Sequence, residues 1–156
     1  QLLIKAFHNL LDTIPARLII LGEGPERPRL ERLVKELDIY DRVSLPGFVH
    51  NPYVYFRNSS VFVLSSLWEG LPTVLIEALA CGTQVVSTDC RSGPREILQD
   101  GKLGTLVPIN QSDALSDAIK YALINPTPPI EGHNLTEYTA DYSVTKYQDI
   151  IDNIQE

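Results

Sequence analysis

Two glutamates, Glu69 and Glu77, stand in an otherwise largely apolar stretch, SSLWEGLPTVLIEALACG, which runs from Ser65 to Gly82. An ionised carboxylate carries only hydrogen-bond acceptors, so it suits the paired hydroxyl donors of a diol. Pro72 lies between the glutamates and is favoured at the first position of a helix, which predicts a helix that begins there. Helical side chains lean toward the helix N-terminus, so we expect Glu77 to reach back toward Glu69 in the preceding loop.

The start of that helix offers a second kind of chemistry. Its unpaired backbone N–H groups and positive dipole suit a phosphate group. The preceding run, SVFVLSS, has the composition of a buried strand, and ligands of open α/β sheets bind outside the carboxyl ends of strands. Diol acceptors beside amide donors describe a site for a sugar nucleotide. The residues alone also allow a plainer interpretation, in which Glu69 only complements the helix dipole and Glu77 is solvated.

Short apolar runs alternate with amphipathic helical patterns along most of the chain. This alternation, with short Gly/Pro connections, predicts an α/β fold with a Rossmann-like parallel sheet and helices on both faces. We predict that residues 1–124 form this domain and that residues 125–156 are a proline-rich link and a C-terminal helix at about 144–154. The predicted strands are 17–22, 42–47, 60–66, 84–89 and 104–108.

Composition excludes several other classes of function. The chain has 156 residues and a net charge of -7, with no basic stripe, so we expect no nucleic-acid partner. No apolar run approaches the roughly 20 residues of a membrane span, and we expect no membrane contact through this domain. The two cysteines form no CxxC and no Cys/His cluster, which predicts no metal site and a reducing, cytoplasmic setting. The opening residues, QLLIKAFHNLL, already have helical spacing, so we expect a fragment of a longer protein, incomplete at its N-terminus.

The segment WEGLPTVLIEALACGTQVVSTD resembles the E-x7-E segment of the retaining glycosyltransferases of family 4, which have the GT-B fold. The flanking segments RLIILGEGPERPRLERLVKELDIYDRVSLPGFVHN and SGPREILQDGKLGTLVP are similar to the same family in the expected order, so the resemblance covers about residues 2–123. It implies the C-terminal, nucleotide-sugar-binding domain of a hexosyltransferase of polysaccharide biosynthesis. Such an enzyme transfers a sugar from a nucleoside-diphosphate sugar to a glycan or lipid-linked acceptor.

The resemblance also implies roles for individual residues. Glu69, the catalytic residue, contacts hydroxyls of the donor sugar and helps to hold the transition state, and Glu77 binds the ribose hydroxyls. Backbone amides of the loop and helix start line the sugar and diphosphate, while the loop GFVHN meets the base. The donor is a UDP- or GDP-sugar, with no metal and no other cofactor. The implied donor-binding residues are Glu77, Gly70, Leu71, Thr73, Val74, Val49 and Asn51.

The sequence departs from the family pattern at its start. Members carry an Arg and a Lys ahead of the first helix of this domain, and neither these residues nor an N-terminal acceptor-binding domain is in the sequence. We therefore expect this chain alone to be inactive and to bind donor weakly, and the full-length protein to act in the cytoplasm or at the inner face of the membrane. Two alternatives stay open: a non-catalytic α/β domain that binds a nucleotide or a partner, and a GT-B-fold nucleotide-sugar epimerase.

Overall fold

A computed structural model describes residues 1–129 and 132–154 of the chain. Each of the five predicted strands contains an observed strand, and helices separate them, so the α/β prediction is confirmed. The strands are β1 (Leu18–Leu21), β2 (Val43–Gly47), β3 (Val61–Leu64), β4 (Gln84–Thr88) and β5 (Thr105–Val107). The helices are α1 (Leu2–Leu11), α2 (Arg27–Glu36), α3 (Tyr53–Asn58), α4 (Thr73–Ala80), α5 (Pro94–Ile97), α6 (Ser112–Ile124) and α7 (Ala140–Ile154), with 3₁₀ turns at Gln99–Gly101 and Gly132–Tyr138.

The strands form two separate hydrogen-bonded groups, where the sequence predicted one continuous sheet. In the first group β1 pairs in parallel with β2, and in the second β4 lies in parallel between β3 and β5. The register of the second group places Val61 opposite Gln84 and Val86 opposite Thr105. Among the described residues, β1 and β3 have no ladder between them.

Helices cover both faces of the strands, each over its own hydrophobic core. Successive strand residues point to opposite faces, so the neighbours Val85 and Val86 enter different cores. The first core takes its buried residues largely from α1, α2 and α6, and the second from α3, α4 and α5. The main members are Ile4, Phe7, Leu10, Val34, Leu115 and Ile119 in the first core and Phe56, Leu75, Leu79, Ile97 and Leu98 in the second.

Helix α4 begins at Thr73, one residue later than predicted, because Pro72 has a non-helical ψ of 83°. The N–H of Thr73 donates to the carbonyl of Leu71 at 2.9 Å. With φ at -75°, this bond makes Pro72 the centre of an inverse γ-turn. The proline fixes the turn that aims the helix, while the helical hydrogen bonds start after it.

The C-terminal helix also begins earlier than the sequence suggested. Helix α7 starts at Ala140, four residues before Val144, and the hydroxyl of Thr139 accepts a hydrogen bond from the N–H of Tyr142 at 3.3 Å, as an N-cap does. Before it, Leu135 is buried in the second core. The part of the predicted link at residues 130 and 131 lies outside the described residues. Within the described ranges, none of the helices combines the length and apolar character needed to cross a bilayer.

Candidate functional site

The loop after β3, residues 65–72, holds Glu69 against the end of the neighbouring strand. Glu69 is half-buried, and its Oε1 accepts a hydrogen bond from the hydroxyl of Ser66 at 2.6 Å. The carbonyl of Ser66 in turn accepts one from the hydroxyl of Thr88 at 2.6 Å. Thr88 is the last residue of β4 and is fully buried. The carboxylate is thus anchored to the sheet through one oxygen, which leaves Oε2 for a ligand.

Gly93 packs against the same loop, at a position that only glycine can occupy. Gly93 has φ at 87°, and a Cβ there would lie 2.7 Å from the carbonyl oxygen of Gly70 and would also overlap Pro72. Beside this contact, Trp68 forms an isolated parallel bridge with Arg91. The segment that follows β4 therefore packs backbone to backbone against the loop and fixes the position of the loop.

The start of α4 presents backbone donors. Within residues 1–129 and 132–154, the N–H groups of Gly70, Leu71 and Val74 have no protein acceptor. The N–H of Thr73 is the exception, because the γ-turn bond to Leu71 engages it. Three of the amides that the resemblance assigns to the sugar and diphosphate are therefore available, and the fourth is occupied in this structure.

Glu77 is half-buried one turn into α4, where it lines a cavity of about 870 Å³ together with Val74. The cavity extends to β1, β3 and α3. Two of the sequence-predicted site residues thus share this cavity. The other six lie outside its lining, namely Glu69, Gly70, Leu71 and Thr73 near the loop and Val49 and Asn51 after β2.

The segment predicted to meet a base follows β2 directly. Val49 is half-buried, while Asn51 is exposed and its Oδ1 accepts from the N–H of Tyr53 at 3.2 Å. That bond leaves the side-chain NH₂ of Asn51 as a donor. Beside them the ring of Phe48 is 69% exposed and meets His50 edge-on, with 5.3 Å between the ring centroids. The exposed ring of Phe48 is an apolar surface beside Val49 and Asn51, and the sequence analysis did not single it out.

Arg95, a cation beside the loop, is already paired with carboxylates. Arg95 forms ion pairs with Asp89 and, at 3.2 Å, with Asp100. Its hydrogen bonds to Asp89 and then to Asp100 raise the pKa of Arg95 above its ordinary value, so its charge is directed at protein carboxylates. Burial, and next the charge of Glu69, raises the pKa of the Cys90 thiol. Among the described residues no three His, Cys, Asp or Glu side chains are grouped as a metal site.

A family model described as glycosyl transferases group 1 matches residues 1–142. The chain belongs to that family. The glycosyl transferase relatives include an uncharacterized glycosyltransferase of Methanocaldococcus jannaschii, which is 46% identical over 97 residues, or 62% of this chain and 24% of the relative.

Two further glycosyl transferase matches cover more of the chain. The N-acetylgalactosamine-N,N'-diacetylbacillosaminyl-diphospho-undecaprenol 4-alpha-N-acetylgalactosaminyltransferase of Campylobacter jejuni is 40% identical over 78% of this chain and 33% of its own length. A solved structure of a TarM mutant of S. aureus, in complex with fondaparinux, alpha-GlcNAc-glycerol and UDP, has a TM-score of 0.86 at 22% identity and covers 95% of this chain and 31% of that chain. The chain thus spans about a quarter to a third of these relatives, and the fold is that of GT-B glycosyltransferases.

The residues that fix the loop at 65–72 in this glycosyl transferase domain were not predictable from the spacing of Glu69 and Glu77. Ser66 is three residues from Glu69, but Thr88 is 22 residues from Ser66. Gly93 meets Gly70 across a similar separation. The only sequence signal for them is a hydroxyl or a glycine at the end of a predicted strand, which many strands share.

Proposed function

We propose that this chain is the donor-binding domain of a retaining glycosyltransferase that takes its sugar from a nucleoside-diphosphate sugar. One observation carries the proposal: a carboxylate fixed by Ser66 stands at the start of α4, next to backbone N–H groups that have no protein acceptor. Amide donors suit the diphosphate, and the carboxylate suits sugar hydroxyls. Donors for the diphosphate and an acceptor for the sugar hydroxyls thus lie within one loop and the helix start that follows it.

The amides of Gly70, Leu71 and Val74 have the role of binding the diphosphate in this proposal. During transfer the bond between the anomeric carbon and the diphosphate oxygen breaks, and the electron pair leaves with the nucleoside diphosphate. Fixed N–H donors at a helix start stabilise that growing negative charge without having to reorganise. Pro72 contributes no N–H, but it sets the turn that points its neighbours at the ligand.

The two glutamates divide the remaining contacts. Glu69 receives hydroxyls of the transferred sugar on the oxygen that Ser66 leaves open, so it acts where charge changes during the reaction. Glu77, on the cavity wall one turn into α4, receives the ribose hydroxyls. Val49 and Asn51 contact the base from the loop after β2. The transfer needs no metal and no cofactor beyond the donor.

Two relatives support the class of donor and acceptor. The S. aureus protein was solved with UDP, and the Campylobacter enzyme carries a diphospho-undecaprenol acceptor in its name. We infer a UDP- or GDP-sugar donor and a glycan or lipid-linked acceptor for the whole protein. The acceptor is bound by a separate N-terminal domain, in the cytoplasm or at the inner face of the membrane.

Thermal stabilisation by ligand tests the proposal. The chain is melted with UDP, GDP, UDP-N-acetylglucosamine and GDP-mannose, beside the variant Glu77→Gln and the matched surface variant Glu36→Gln on α2. A ligand at ten times its Kd stabilises the folded state by about 1.4 kcal/mol, which is a shift of a few degrees in Tm. We expect a shift with one nucleotide series in the parent chain and in Glu36→Gln, and its loss in Glu77→Gln. No shift with any of the four ligands contradicts the proposal.

A further inference from the structure

Trp68, the single tryptophan of the chain, lies one residue before Glu69 and is 77% exposed. Tryptophan is on average highly buried in folded proteins, because its ring system is large and mostly apolar. Leu67 and Leu71, which lie near it in the loop, are exposed as well. An exposed apolar patch beside polar groups is typical of a surface that binds a ligand or a partner. The loop that carries Glu69 therefore has an apolar surface that folding does not cover.

Arg91 lies directly opposite Trp68, across the isolated parallel bridge between the loop and the segment after β4. Residues that face each other across such a bridge project their side chains from the same side of the backbone, and the two backbones are about 4.8 Å apart. Arg91 is exposed, and in the parts of the chain that the structure describes its guanidinium forms no ion pair and no hydrogen bond. An open guanidinium therefore stands beside an open indole.

The carboxylates close to this pair along the chain are engaged by other groups. Asp89 is paired with Arg95, and Glu69 accepts a hydrogen bond from the hydroxyl of Ser66. The chain as a whole has a net charge of -7, which repels anions in general. An anionic ligand would therefore need a local, unpaired cation in order to bind here, and Arg91 provides one.

The indole and the guanidinium suit different parts of one ligand. The face of an aromatic ring is electron-rich, so it attracts the weakly positive C–H groups on the face of a sugar ring. A guanidinium is planar and forms paired hydrogen bonds with a carboxylate or a phosphate. Because the two side chains start from opposed backbone positions, they can contact a sugar ring and its charged substituent together. This combination describes a sugar that carries an anionic group.

The position of the pair indicates which sugar of the reaction it meets. In the proposed function, Glu69 and the amides at the start of α4 hold the donor sugar and its diphosphate. The amides follow Trp68 along the loop and into α4, whereas Arg91 lies on the other flank of the loop, in the segment after β4. A sugar on this flank adjoins the donor sugar without replacing it. That is the place of the accepting sugar.

We propose that Trp68 and Arg91 form a subsite for the acceptor, in which the indole stacks on a sugar ring and the guanidinium binds a carboxylate or a phosphate on that ring. The inference rests on the proposed function and names the class of acceptor, a glycan whose accepting end carries an anionic sugar. The subsite adds a contact from this domain to the acceptor binding that we assign to the N-terminal domain. Trp68 and Arg91 determine specificity, while Glu69 and the amides bind the donor.

Because Trp68 is the only tryptophan, the fluorescence of the whole chain reports on this subsite. The chain is titrated with methyl glucuronide, glucose 6-phosphate, neutral methyl glucoside and inorganic phosphate, which separates the effect of the ring from that of the charge. We expect a saturable change with at least one anionic sugar, at a Kd about tenfold below that of methyl glucoside, since a hydrogen bond to a charged group is strong. Inorganic phosphate should leave the fluorescence unchanged. Equal affinity for charged and neutral sugars, or no saturable change with any sugar, overturns the proposal.

Substitutions separate the two contributions. Arg91→Gln should raise the Kd for the anionic sugar about tenfold, whereas Arg32→Gln, at an exposed arginine of α2, should not change it. Trp68→Leu should abolish binding, and Trp68→Tyr should restore it in part because tyrosine retains an aromatic face. Since these two variants lack the indole, their binding is followed through the amide shifts of Ser92 and Gly93. Undiminished affinity in Arg91→Gln or in Trp68→Leu contradicts the proposal.

Nucleotide binding distinguishes this inference from the proposed function. By calorimetry, Arg91→Gln should change the Kd for UDP or GDP less than twofold. A tenfold loss would mean that Arg91 binds the diphosphate of the donor, which overturns the acceptor subsite. If nucleotides bind but charged and neutral sugars bind equally, only the subsite is wrong. If anionic sugars bind through Trp68 and Arg91 but no nucleotide binds, the proposed donor function is wrong and the sugar subsite stands.

Discussion

The hydroxyl of Ser66 donates to the carboxylate of Glu69 at 2.6 Å, and this bond connects the glutamate to the sheet. Thr88, buried at the end of β4, holds the carbonyl of Ser66 at 2.6 Å. Glu69 is therefore positioned by two strands, although it lies in a loop. A side chain whose geometry is set in advance loses less freedom when it binds a ligand.

Replacing Ser66 by alanine should weaken recognition of the sugar and leave recognition of the nucleotide intact. A hydrogen bond to a charged group contributes about 1.5–3 kcal/mol, so we expect Ser66→Ala to weaken binding of the sugar nucleotide about tenfold by calorimetry. Binding of the corresponding UDP or GDP should change less than twofold. Ser65→Ala is the matched control, and an equal loss for nucleotide and sugar nucleotide would show that Ser66 does not act through Glu69.

Gly93 should tolerate no side chain, because its position is limited by contact as well as by backbone conformation. Gly93→Ala is expected to lower the free energy of unfolding in urea by at least about 2 kcal/mol. Gly101 has a similar φ of 93° with open space around its Cβ position, and Gly24 has open space and no positive φ. Gly101→Ala should therefore cost about 1 kcal/mol, from the backbone strain alone, and Gly24→Ala almost nothing. Equal losses for Gly93→Ala and Gly101→Ala would mean that the contact with the loop has no effect.

Cys90 should be the slower of the two cysteines to alkylate. Iodoacetamide reacts with the thiolate, and burial together with the charge of Glu69 raises the pKa of Cys90, so less thiolate is present at pH 8. Cys90 is buried and Cys81 only half-buried. Mass spectrometry of the native chain should find Cys81 labelled first, with labelling of Cys90 rising as pH increases toward its raised pKa. Faster labelling of Cys90 would mean that the loop opens readily.

Arg95 should have little influence on nucleotide binding, although it is a cation near the loop. Its guanidinium already faces Asp89 and Asp100. We expect Arg95→Gln to change the Kd for UDP or GDP less than twofold, whereas Glu77→Gln raises it about tenfold. A tenfold loss in Arg95→Gln would mean that the arginine leaves its carboxylates to bind the diphosphate.

The sequence predicted the elements of this fold because local patterns determine them. Short apolar runs located all five strands, and three of those runs end in glycine or proline. The helical spacing around Val74 and Leu75 located α4. The start of α4 was predicted one residue early, since the preference of proline for a first helical turn does not distinguish it from a γ-turn. The division of the strands into two groups was not predictable, because it depends on which strand edges meet.

The site was predictable only in part, for a physical reason. The types and spacing of Glu69 and Glu77 suggest diol recognition, and a helix start suggests phosphate. The residues that fix the loop carrying Glu69 come from a distant part of the chain. The hydroxyl of Thr88 donates to the carbonyl of Ser66, and Gly93 leaves room for the carbonyl of Gly70. Such contacts form between segments that are distant in sequence, so no local pattern indicates them.

Amide chemical shifts measured during a nucleotide titration test the central claim most directly. The ¹⁵N-labelled chain is titrated with UDP-N-acetylglucosamine and with GDP-mannose, a method that detects weak binding. We predict that one of the two ligands causes its largest shifts at Gly70, Leu71 and Val74, with little change at Gly24, and that Glu77→Gln suppresses them. Largest shifts elsewhere on the chain, or none with either ligand, would contradict the assignment of this loop and helix start to a sugar nucleotide.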